Sequence, residues 1–78
     1  MWYAVLNKES MGFKAGSVFS CLSVSKEEVE VNHIGSSKNM IVGWTMSKQV
    51  AKVAFTRPTR DLDSAMEESF MVCEREYC

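Results

Sequence analysis

The single proline of this 78-residue chain, Pro58, separates two kinds of hydrophobic pattern. Before it, apolar and polar residues tend to alternate; after it, apolar residues recur every three or four positions. A proline cannot donate to a sheet ladder, and it steers the preceding residue away from helical geometry. The change of period at Pro58 is therefore expected to be a change of element, from sheet to helix.

Three segments ahead of the proline read as strands. "WYAVL" (2–6) and "SVFSCLSV" (17–24) are rich in aromatic and β-branched residues, and "MIVGWTM" (40–46) alternates most cleanly. "NKESMGFKAG" (7–16) and "GSSKN" (35–39) read as loop and turn, and the segments flanking 35–39 are expected to form a hairpin. Between them, Ser25 and Glu28 have the spacing of a helical capping box, with Val24 and Val29 placed as its staple. The alternation in "EVEV" opposes that reading, and 28–34 is assigned to a strand. "QVAKVAF" (49–55) is assigned to a further strand, with a short helix after Ser47 as the alternative.

Beyond the proline, Thr59 is a candidate N-cap, and Asp61 and Asp63 would meet the positive end of a helix over 60–76. Leu62, Ala65, Met66, Ser69, Phe70 and Cys73, continuing to Tyr77, form one stripe expected to face the core. Asp63, Ser64, Glu67, Glu68, Met71, Glu74 and Arg75 fall on the other side. The predicted architecture is a single α+β domain over 1–78. It is an antiparallel sheet of four to five strands with one C-terminal helix packed on one face. An SH3-like small barrel plus helix is the alternative.

Charge is sorted along the chain. Residues 31–60 contain Lys38, Lys48, Lys52, Arg57 and Arg60 and no acid, whereas 61–78 contain six acids and only Arg75. The overall net charge is −1, which gives no general attraction to nucleic acid or membrane. As strand or as helix, the spacing of Lys48 and Lys52 places them side by side, with Arg57 and Arg60 just beyond. The 38–60 segment is thus a candidate nucleic-acid-binding stripe, for which Trp44 or Phe55 is the expected stacking ring. The competing reading has these cations beside the acidic helix, neutralising it.

Little else points to chemistry. Cys21, His33, Cys73 and Cys78 number enough for zinc but lack the close pairing that small zinc sites show, so no metal and no cofactor is expected. His33 is the only histidine, and no serine sits in a nucleophile elbow. The Asp61–Asp63 and Glu67–Glu68 pairs are expected on a solvated helix face, which reads as a charged surface and not as an acid–base pair. Three cysteines, no export signal in "MWYAVLNKES" and no long apolar run lead to the expectation of a cytoplasmic protein with no membrane contact.

A small chain with no active-site constellation is expected to act by covering a surface. The sequence reading is a non-catalytic protein-binding module, a regulator or inhibitor of a larger macromolecule of the phage or mobile-element accessory type. Glu67, Glu68, Met71 and Glu74 would form its protein-binding face. The alternative is an RNA or single-stranded nucleic acid binder using Lys48, Lys52, Arg57 and Arg60. Opposite charges at the two ends of the chain also make a homodimer conceivable.

Overall fold

The computed structural model describes residues 2–34 and 43–77. The predicted 35–39 turn with Lys38, the first residues of the predicted 40–46 strand, Cys78 and the side chain of Tyr77 lie outside the described residues.

Four strands, β1 (Trp2–Val5), β2 (Val18–Ser23), β3 (Glu28–His33) and β4 (Gly43–Ser47), form one antiparallel sheet in the order of the chain. The sheet is open, so the barrel alternative is not what the chain adopts. The register pairs Ala4 with Phe19, Cys21 with Val31 and Val31 with Trp44. Strand alternation therefore puts these residues on one face and Val5, Val18 and Thr45 on the other.

Two helices follow, α1 (Lys48–Ala54) and α2 (Leu62–Tyr77). The α1 helix corrects the strand expected over 49–55. Ser47 leaves β4 in extended geometry and its hydroxyl accepts from Val50 N, which caps a helix before a fifth strand can begin. The reverse outcome holds at Ser25. Its hydroxyl accepts from Glu27 N and Glu28 N, as a capping residue would, yet the chain turns into β3, because Val29 and Val31 are needed on the buried face.

The C-terminal helix α2 packs on one face of the sheet, as expected, and the additional helix α1 covers the other. Ala51 and Ala54 of α1 pack toward a core of Ala4, Leu6, Phe19, Val31 and Phe55. Ala65 and Val72 of α2 pack with Val5 and Ala15. The α1 helix touches β3 and β4, and α2 touches β1 and β2.

Residues 55–59 run between the helices as an extended strap along the outer edge of β1. Tyr3 N donates to Thr59 O, Thr59 N to Tyr3 O, and Thr56 N to Val5 O. The strap satisfies an edge that would otherwise invite pairing with another chain. Pro58 fits there because the donors the edge requires come from Thr56 and Thr59. Since Thr59 is engaged in this way, Asp61 caps α2 in place of the expected Thr59. Its carboxylate accepts from Asp63 N and from the Ser64 hydroxyl.

Inside the 7–16 loop, Ser10 and Phe13 exchange two backbone hydrogen bonds across Met11 and Gly12. Both central residues have positive φ, 53° and 82°, the signature of a type I′ turn. Methionine is a poor occupant of that conformation and asparagine a good one. Met11→Asn should stabilise the fold by about 0.5–1 kcal/mol, read as a rise in the urea midpoint at unchanged slope.

Candidate functional site

The outer face of α2 differs from the sequence expectation in one respect that matters for binding. At 100° per residue, the buried line runs through Ala65 and Val72, which are 1% and 0% exposed. Val72 was outside the expected stripe. Met66 and Phe70 were inside it, yet they are 50% and 70% exposed, and Leu62 is also exposed. The helix is turned by roughly 90° from the orientation the expected stripe predicts.

The cause lies in the loop beneath it. Gly16 has a φ of +92° and leaves no room above it, and the helix comes down onto Ala15 and Gly16 with small residues. The Ser69 hydroxyl donates to Gly16 O, and the Cys73 thiol lies 3.8 Å from Ala15 O, which it faces as a weak donor. A phenylalanine or methionine on this line would hold the helix away from the sheet.

As a result, the solvent side of α2 is more apolar than the sequence suggested. Asp63, Glu67 and Glu74 run along its centre, Met66 and Phe70 flank them on one side, and Met71 on the other. Of the predicted protein-binding residues, Glu68, Met71 and Glu74 line one shallow recess of ≈ 740 Å³ with Asn7, Thr56 and Arg75. Glu67 lies further round the helix, outside that lining. The structure thus keeps the predicted set on one side of one helix. It adds Leu62, Met66 and Phe70, which the period alone had assigned to the core.

The predicted cationic residues come together on the opposite face. Lys48 and Lys52 project from adjacent turns of α1, and Arg57 from the strap. These three line an open groove of ≈ 680 Å³, whose floor includes Trp2, Cys21 and Val29. Arg60 joins them through Trp2, its guanidinium 4.7 Å from the centroid of that ring. Among the described residues no carboxylate lines the groove. Burial pushes the Cys21 thiol up from its ordinary pKa, which leaves it a neutral part of the floor.

Neither expected stacking ring is exposed, although Phe55 belongs to the groove's lining. Phe55 is buried, and Trp44 packs against Phe13 and Phe19. The exposed ring near the cations is Trp2, brought alongside Arg60 by the pairing of β1 with the strap. Thr56 lines both the groove and the recess on α2, so the strap divides them. The cations do not lie beside the acidic helix face, and among the described residues no ion pair joins the two groups.

Cys21 and Cys73 are separated by the sheet: Cys21 packs toward the α1 side, and Cys73 meets Ala15 on the α2 side. His33 stands among the rings of Phe13 and Phe19. Among the described residues no group of three His, Cys, Asp or Glu is placed to hold a metal ion, and no helix is long and apolar enough to cross a membrane. Comparison with protein-family models, with curated proteins and with solved structures finds no match.

Proposed function

We propose that this protein is a small non-catalytic binding module that regulates or inhibits a larger protein by laying the outer face of α2 on it. The observation that carries this reading is the exposure of Phe70, at 70%, beside Met66 and Met71 on a helix whose outer face also carries Asp63, Glu67 and Glu74. Exposing a phenylalanine to water costs about 1.5–3 kcal/mol relative to burying it, and the apolar neighbours Met66 and Met71 add to the exposed area. Aromatic and methionine side chains are enriched at the centres of interfaces, with charged groups at the rim. The acids specify the partner's chemistry: an apolar hollow bordered by lysine or arginine. Glu67, Glu68 and Glu74 would speed encounter, and Met66, Phe70 and Met71 would supply the lasting contact.

Placing a photoreactive benzoyl-phenylalanine at position 70 tests this directly. Irradiation in the native cell is expected to link it to one protein. The same group at Val53, 81% exposed on α1 across the sheet, is expected to give no such product. Glu67→Gln, Glu68→Gln and Glu74→Gln together should reduce the yield severalfold without lowering the urea midpoint. No product at position 70, or the same product from both positions, refutes the assignment.

A further inference from the structure

We infer that the groove between α1, the strap and strands β1 to β3 binds single-stranded nucleic acid, with a base stacked at Trp2 and phosphates along Lys48, Lys52, Arg57 and Arg60. This site is on the far side of the strap from α2's recess and does not depend on the protein-binding reading above.

Three observations carry the inference. The first is convergence. Lys48 and Lys52 from α1 and Arg57 from the strap line one hollow, Arg60 stands beside its Trp2, and among the described residues no acid lines it. Such a row attracts a polyanion along its length. A solubilising scatter of lysines would not need cations of a helix and of an extended strap to line one hollow.

The second is the floor. Trp2, Cys21 and Val29 are apolar, so a free hydrated anion such as phosphate would gain nothing from them. The occupant must present charge to the rim and a flat apolar surface to the base of the groove. A nucleotide strand does both, since every base has an apolar face and every step carries a phosphate.

The third is the Arg60–Trp2 pair. A guanidinium lies over an indole that is itself 43% exposed. Aromatic rings and arginine planes are the two surfaces on which unpaired bases stack. An acidic peptide would satisfy the rim equally well but would make no use of such a platform.

The same geometry sets the selectivity. Polar side chains able to read a base edge are scarce in the lining. Ser23 and Thr56 are there, and the Thr56 hydroxyl already accepts from Val5 N. Binding should therefore tolerate any base sequence. A duplex, whose bases are stacked on one another, should bind less well.

Fluorescence anisotropy with labelled oligothymidylate, oligouridylate, a mixed-sequence DNA duplex and a polyglutamate peptide provides the test. Both single strands are expected to bind at low salt, and the duplex and the peptide more weakly. Four phosphate contacts predict a log–log salt slope of about −3. Lys52→Gln with Arg57→Gln should bring it to about −1.4, because two contacts remain. Trp2→Leu keeps an apolar floor but removes the ring. It should weaken binding roughly tenfold while leaving the slope unchanged, which separates stacking from charge. A difference between the two single strands would assign the natural ligand to RNA or DNA. Failure of both single strands to bind, equal or tighter binding of the peptide or the duplex, or no effect of Trp2→Leu would overturn the inference.

Discussion

Phe19→Ala is expected to leave the protein largely unfolded at room temperature. Phe19 is 0% exposed and sits where every layer of the α1-side core meets. Its ring is 5.3 Å from Phe13, 5.2 Å from His33, 5.6 Å from Trp44 and 5.2 Å from Phe55, centroid to centroid. All four approaches are edge-to-face, with interplanar angles of 70–79°, the arrangement the ring quadrupole favours. Deleting a buried phenylalanine costs about 3–5 kcal/mol, and a chain of this size is held by roughly that much in total. Urea titration followed by far-UV circular dichroism should show the baseline of an unfolded chain before denaturant is added. Phe19→Leu keeps most of the volume and should remain folded with a reduced midpoint. A loss below about 1 kcal/mol for the alanine variant would mean that this ring cluster is not the centre of the fold.

Gly16→Ala is expected to cost about 2–4 kcal/mol, from two sources that can be separated. The φ of +92° lies where residues with a Cβ are strained. The added methyl would also stand 2.5 Å from Cys73 Sγ and 3.2 Å from Ser69 O, so α2 would have to rise from the loop. Removing the thiol with Cys73→Ala in the same chain should restore part of the loss. The backbone strain and the Ser69 carbonyl would remain. If Gly16→Ala alone left the urea midpoint unchanged, α2 would not be seated on this turn. The exposure of Phe70, which follows from that seating, would then need another cause.

Much of the architecture was legible because it rests on local periodicity. Aromatic and β-branched content in 2–6 and 17–24 and alternation in 28–34 correspond to β1, β2 and β3, and the stretch after Pro58 becomes α2 over 62–77, close to the expected 60–76. The segment 49–55 was not legible, because "VAKVA" suits either period. The outcome turned on one hydroxyl, that of Ser47, reaching Val50 N. The binding residues divide in the same way. Lys48, Lys52, Arg57 and Arg60 are neighbours in sequence and were found from charge alone. Trp2 could not be added to them from sequence, since it reaches Arg60 only through the bonding of the strap to β1.

The amino-acid order by itself determined the strands, the long helix and the segregation of charge, because each arises from residues within a few positions of one another. Tertiary contact alone decided which side of α2 is buried. Its large apolar residues and its small ones form two competing lines, and period cannot rank them. The close approach at Gly16 selected the small line, since only Ala65, Ser69, Val72 and Cys73 let the helix come near enough to exclude water from Val5 and Ala15.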